Sequence, residues 1–259
     1  MIEKKIYYVW IGNGKKPDIF YKCYASWKKH LPDFEIIEIN EKNFDVEKHL
    51  RKNRFFKECY ERRLWAYVSD YMRVHFMYEN SGIYVDTDME IIKDISFLIK
   101  NENVKFFIGY EDEKHISVGI FGCERKSGIL KDVIKFYEND IWSKPLWTIP
   151  KIFTYIFEKK YNLTEKRENN LQKGEIIIYP KEYFYPYSFK EKFSESCIKE
   201  NTYGIHWWND SWGSLKSKLF LESKHLKGIY KIIKKIRITA RYYLIEKKDR
   251  SRSNFKKWE

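Results

Sequence analysis

Between residues 61 and 88 the chain changes its apolar period from that of a helix to that of a strand, then stops on two carboxylates. Leu64, Val68, Tyr71, Met72, His75 and Phe76 recur at spacings of three and four. That spacing predicts a helix over Glu61–Glu79, terminated by Gly82. Ile83–Val85 reads as a short buried strand running into Asp86-Thr87-Asp88. The same alternation extends along the chain. Ile6–Ile11 reads as a strand ending in the turn Gly12-Asn-Gly, Ile19–His30 as a helix stopped near Pro32, and Phe34–Ile39 as a second strand. Strands near Phe106–Tyr110, Val118–Phe121 and Ile176–Tyr179 alternate with helices near Ile129–Asn139 and Pro150–Lys160. Such alternation predicts an α/β layered domain with a largely parallel sheet. Ligands of such sheets collect beyond the carboxyl ends of the strands, where Gly12 and Asp86 fall.

Charge is unevenly distributed. The 259 residues carry 50 Lys+Arg against 37 Asp+Glu, a net of +13. Residues 216–259 hold 15 basic and 4 acidic residues (+11), so residues 1–215 hold 35 and 33 (+2). The body is close to neutral and the end is basic, which predicts a catalytic or binding domain over 1–215 and a basic helical extension over 216–259. With 43% hydrophobic and 19% aromatic residues, the chain has the apolar surface that a disordered sequence lacks. Cys23, Cys59, Cys123 and Cys197 show neither a CxxC pair nor metal-finger spacing, which fits a reduced setting without a disulfide framework. No 18-residue apolar window predicts a membrane span. The apolar run near the N-terminus is followed by Asn13-Gly-Lys-Lys-Pro17 and reads as a first strand rather than a signal peptide.

Four segments bear chemistry. Asp86 and Asp88 stand two apart at the end of an apolar strand, where two carboxylates repel unless a cation joins them. Their oxygens suit Mg²⁺ or Mn²⁺, while the plainer reading is a solvated turn. Asp70 and Arg73 share a helix face and make either a surface ion pair or a site for phosphate and sugar hydroxyls. In His206-Trp-Trp-Asn-Asp-Ser-Trp212, His206 is either a packed core residue or a neutral imidazole ligand, and Ser211 a phosphate-binding hydroxyl. The indoles of Trp207, Trp208 and Trp212 suit sugar or base faces. Trp10, in Tyr8-Val-Trp-Ile-Gly12, either stacks on a base or fills the core.

Together these segments resemble glycosyltransferase family 32, the Asp-X-Asp sugar transferases of capsule and cell-surface polysaccharide synthesis, which share an active-site plan with large glucosylating toxins. The matching segments are Tyr8–Gly12, Ser69–Arg73, Gly82–Asp88, Ile178–Pro180 with Phe184–Pro186, and His206 followed by Ser211-Trp212. The resemblance implies a GT-A fold, a single Rossmann-like nucleotide-sugar domain, a UDP-sugar donor, a divalent cation (Mn²⁺ or Mg²⁺) and retention of anomeric configuration. It places Trp10 and Val9 on the base, Asp70 and Arg73 on the donor sugar, and Tyr84 beside the nucleotide. It makes Asp88 a metal ligand, Asp86 a bridge between ribose and metal, and His206 a metal neighbour. Ser211 and Trp212 would touch the diphosphate, with Trp207 and Trp208 on the acceptor side. Asp70, Arg73, Asp86 and Asp88 form its catalytic set. The implied acceptor is a saccharide or lipid-linked saccharide in the bacterial cytoplasm, at the inner membrane face.

Within the basic end, Ile229, Ile232, Ile233, Ile236, Ala240, Tyr243 and Leu244 fall on one helical stripe, and Lys231, Lys234, Lys235 and Arg241 fall off it. This predicts a basic amphipathic helix that either lies on an anionic membrane or packs its stripe on the domain. No nucleic-acid-binding motif accompanies the charge. Two other classes compete with the transferase: a membrane- or nucleic-acid-binding module with a degenerate site, and a metal-dependent phosphohydrolase or nuclease. The latter wants more clustered carboxylates and histidines. The former is tested by whether Arg73, Asp86, Asp88 and His206 converge.

Overall fold

The computed structural model describes residues 1–12, 14–161, 171–209 and 219–255. Two compact units divide the chain, one of Met1–Asn139 with Thr148–Asn209, the other of Asp140–Trp147 with Asp210–Glu259. The first unit is an α/β fold built on a mostly parallel sheet, the class that the sequence predicts. Its strands are β1 (Lys5–Val9), β2 (Glu35–Ile39), β3 (Gly82–Val85), β4 (Met89–Ile91), β5 (Phe106–Tyr110), β6 (Ile116–Cys123), β7 (Leu171–Lys173), β8 (Ile176–Tyr179) and β9 (Gly204–His206). Its helices are α1 (Asp18–His30), α2 (Val46–Lys52), α3 (Arg54–Glu61), α4 (Trp65–Glu79), α5 (Gly128–Lys135) and α6 (Ile149–Tyr161).

Seven strands form one sheet in the order β2-β1-β3-β6-β5-β8-β7. Pairings of β1 with β2 and β3, and of β5 with β8, are parallel; those made by β6 and β7 are antiparallel. Five strands therefore run one way, and β6 and β7 run against them. Antiparallel β6 is the departure from a purely parallel sheet: it enters the centre from a five-residue turn after β5, a link far too short for a crossover.

Strand alternation sorts the side chains into two layers. Ile6 and Tyr8 of β1, Ile83 and Val85 of β3, Phe107 of β5 and Ile120 of β6 join Phe20, Cys23 and Trp27 of α1 in one core cluster. The intervening residues face the other helices. Tyr7 meets Phe76 of α4, Phe106 meets Phe157 of α6, and Tyr84 stacks on Phe121, which meets Phe153. Because Asp86 follows Tyr84 by two residues, the same period directs it toward α4.

The helix expected over Glu61–Glu79 is α4, which starts four residues later, at Trp65. Helix α3 ends at Glu61, and Arg63 turns through φ 53° before α4. This break puts the Trp65 indole against Gly12, where an added Cβ would lie 2.7 Å from the ring. Gly12 itself has φ +81°, so the turn after β1 requires glycine twice over.

Beta sheet packing is similarly tight at Gly122, where a Cβ would sit 2.1 Å from the Phe107 ring. Gly122→Ala should lower stability by about 1–3 kcal/mol through overpacking, read by urea denaturation.

Candidate active site

Site geometry begins at the end of β3. The Asp86 amide donates to the Gly119 carbonyl at 2.7 Å, extending the β3–β6 ladder by one residue. The Met89 amide then donates to the Asp86 carbonyl at 3.0 Å, so Asp86-Thr87-Asp88 lies in a tight turn that leads into β4. Gly119 leaves room for this arrangement. A Cβ there would lie 2.8 Å from the Tyr185 hydroxyl and 3.1 Å from Asp86 Oδ2.

Strand β4 lies outside the main sheet and is anchored by α1. Trp27 Nε1 donates to the Met89 carbonyl at 2.7 Å, and the Ile91 amide donates to Ser26 Oγ at 3.0 Å. On its other edge β4 pairs with β9, in a register that sets Met89 opposite His206. His206 Nε2 consequently lies 3.1 Å from Asp88 Oδ1 and 3.9 Å from Asp86 Oδ2. The ligand atoms of Asp86, Asp88 and His206 all fall within 4.8 Å of one another. Trp208, at φ 52° in the left-handed region, turns the chain so that the Asn209 amide donates to Asp88 Oδ2 at 2.8 Å.

Asp70 and Arg73 are 1% and 4% exposed, which overturns the surface ion-pair reading of their spacing. Arg73 Nη2 lies 3.0 Å from Asp70 Oδ1, and Nη1 lies 3.0 Å from Asp86 Oδ1. Nη1 also donates to the Val118 carbonyl at 3.1 Å. Tyr84 lies beneath the guanidinium, 4.5 Å from ring centroid to cation, and its hydroxyl donates to Asp86 Oδ1 at 2.9 Å. Tyr84 is 1% exposed, and its hydroxyl is turned to Asp86. Arg73, Asp86, Asp88 and His206 thus form one connected group.

Burial opposes the Arg73 guanidinium, but Asp86, Tyr84 and Asp70 outweigh it and hold the side chain charged. Burial pushes the Asp70 carboxyl up to about 8, against the pull of Arg73. Burial likewise disfavours the Asp88 carboxylate, yet His206 and the Asn209 amide keep it below its ordinary range. His206 is raised in return, because Asp88 first and then Asp86 and Glu111 overcome its burial.

Trp10 is half-buried against the core cluster, with Nε1 donating to the Gly14 carbonyl at 2.9 Å, while Val9 is buried in β1. Trp207 is tied down: its Nε1 donates to Glu90 Oε2 at 2.8 Å, and Lys22 Nζ lies 3.9 Å above its ring. Trp208 stands 4.3 Å from the His206 ring, centroid to centroid. Ser211 and Trp212 lie outside the described residues. Residues not anticipated from sequence are Gly119, Tyr185, Glu90 and Glu111. Glu111 follows β5 at the carboxyl edge that also carries Asp86, an apolar strand running into Glu111-Asp112 just as β3 runs into its acidic pair. Its ligand atom groups with those of Asp112 and His115 within 4.8 Å.

Residues 17–105, which include Asp70, Arg73, Tyr84, Asp86 and Asp88, match the family described as glycosyltransferase sugar-binding region containing DXD motif. This segment is similar to a DXD sugar-binding region. The relatives of the chain include lactosylceramide 4-alpha-galactosyltransferases from Rattus norvegicus, 25% identical over 163 residues, and Homo sapiens, 24% identical over 163 residues. The alignments cover 58% of this chain and 42% and 43% of those proteins, so the chain spans less than half the length of either. Among solved structures, PaToxG glycosyltransferase is similar with a TM-score of 0.48 and 15% identity, over 62% of this chain and 70% of that one. A glycosyltransferase involved in the glycosylation of the major capsid of PBCV-1 is similar at a TM-score of 0.42 and 11% identity, over 80% and 95%. Within the matched segment, the Asp86-Thr87-Asp88 turn is the point where β3, β4 and α4 meet.

Beside that region, burial and the charge on Asp112 raise Glu111 to about 7. A carboxyl with a raised folded-state pKa contributes stability below its unfolded value, about 4.3, and loses it as pH rises through the folded value. Wild-type thermal stability should therefore fall between about pH 4.3 and 7 relative to Glu111→Gln. A constant difference between the two melting temperatures across that range would reject the assignment.

Proposed function

We propose that the protein is a divalent-metal-dependent glycosyltransferase that moves a hexose from a UDP-sugar to a saccharide acceptor with retention of configuration. One observation carries the reading: two carboxylates from the DXD sugar-binding region and the imidazole of His206 converge within 4.8 Å. Two hard oxygens and one nitrogen suit Mn²⁺ or Mg²⁺, and the carboxylate pull that favours a proton on His206 is the pull a cation would answer. Asp86, Asp88 and His206 would hold that ion, which when bound supplies positive charge to a departing diphosphate.

This chain's own residues do the remaining work. Arg73 fixes Asp86 and adds a permanent positive charge behind it. Asp70 and Tyr84, buried behind the guanidinium, are positioning residues for it. Trp10 offers an indole at the end of β1 for the base, and the family resemblance assigns Ser211 and Trp212 to the diphosphate. No carboxylate stands out as a double-displacement nucleophile. We therefore assign front-face substitution: the acceptor oxygen bonds to the anomeric carbon as the bond to the diphosphate oxygen breaks. The acceptor proton passes to that departing oxygen. The relatives' name, lactosylceramide 4-alpha-galactosyltransferase, makes galactose the first hexose to test. A lipid-linked acceptor in surface-polysaccharide synthesis follows from the family resemblance.

UDP release with Mn²⁺, measured across UDP-galactose, UDP-glucose and their N-acetyl forms, should single out one donor. Asp88→Asn should lower that rate on the order of 100-fold while circular dichroism stays unchanged. Undiminished turnover by the variant in chelator would remove the metal assignment. The glycoside product of an α-linked donor should be α by NMR, and a β product would exclude front-face chemistry.

A further inference from the structure

The second unit ends in helix α7 (Gly228–Phe255), and its apolar stripe is not packed away. Of the ten large hydrophobic side chains exposed among the described residues, seven lie on this one helix. Six form the stripe anticipated from the sequence: Ile229, Ile232, Ile233, Ile236, Tyr243 and Leu244. Ile232 and Ile236 are 59% and 61% exposed. The opposite face carries the internal contacts. Lys234 and Arg241 both pair with Glu222, at 3.5 and 3.3 Å, and Ile238 between them is buried. The helix is thus turned with Lys234, Ile238 and Arg241 on the Glu222 side and the stripe of Ile229, Ile232, Ile233 and Ile236 outward, the reverse of a helix that packs its stripe on a core.

We infer that the outward face of α7 is a docking surface for an anionic lipid bilayer. The stripe has the width of an interfacial helix, and Lys235 and Arg237 border it, placed for their stems to lie on the acyl boundary while their charges meet phosphate headgroups. Residues 216–259 carry a net +11, so the segment that holds α7 is complementary to negative charge. No helix among the described residues is long and apolar enough to cross a membrane, so this one would lie in the interface plane. The inference does not depend on the transferase reading, since lipid binding is measured without turnover.

The intact chain should sediment with mixed phosphatidylcholine–phosphatidylglycerol vesicles at low salt, and much less with phosphatidylcholine alone. Ile232→Glu with Ile236→Glu should abolish sedimentation. Lys235→Gln and Arg237→Gln should each weaken it about five-fold. All four positions are exposed, and circular dichroism with urea denaturation checks that each variant folds as the wild type does. Failure to bind mixed vesicles, equal binding to both vesicle types, or wild-type binding by the double glutamate variant would overturn the inference. So would a stable dimer in light scattering that the double variant dissolves, which would give the face to a second copy of the chain.

Discussion

A single buried guanidinium holds the centre of the first unit together. Arg73 bridges Asp70 on its own helix and Asp86 at the end of β3, rests on the Tyr84 ring and donates to the Val118 carbonyl. Removing such a cation from water costs several kcal/mol unless every direction it faces offers negative charge or an acceptor. The positions of α4, β3 and β6 are constrained together by that need. The Asp86 carboxylate is consequently aimed before any ligand arrives, and preorganisation of this kind is what an electrostatic site requires.

The second constraint is the small β4–β9 pair. It contributes nothing to the main sheet, yet it brings His206 to Asp88 across 118 residues of sequence. Trp27 and Ser26 of α1 fix one edge of β4, and the register with β9 does the rest. The Lys22–Glu90–Trp207 stack clamps the chain immediately after His206, through a 2.8 Å ion pair and a 2.8 Å hydrogen bond to one carboxylate. Three segments far apart in sequence thereby share one rigid frame around the DXD turn. Asp88 and Asp86 there favour the protonated form of His206, the electrostatic setting in which a divalent cation displaces a proton.

Local pattern carried a good deal of this. The 3.6-residue repeat before Gly82 and the apolar run into Asp86 located α4, β3 and the acidic turn, because helix and strand periods depend on neighbours in sequence. Helix α1 was legible to within one residue. The break at Arg63 was not, since the apolar period continues across it and only a positive φ divides α3 from α4. Antiparallel β6 was hidden for a different reason: strand direction depends on the connection, and apolar composition is the same either way. Glu111 was overlooked although it follows β5 as Asp86 follows β3, because a carboxylate after a strand gains meaning only when its strand is known to end at the same edge.

From residues alone came the DXD turn, the Asp70–Arg73 face, the candidacy of His206, and the concentration of charge beyond residue 216. Each is a matter of residue type and spacing, which short-range sterics and hydrophobic period convert directly into local geometry. Tertiary structure alone decided that Asp70 and Arg73 are buried, that Tyr84 serves Asp86 from beneath, that His206 meets both carboxylates, and that α7 turns the Ile229–Ile236 stripe outward. Burial and convergence are properties of which surfaces meet, and a helix presents the same period whichever of its faces is covered.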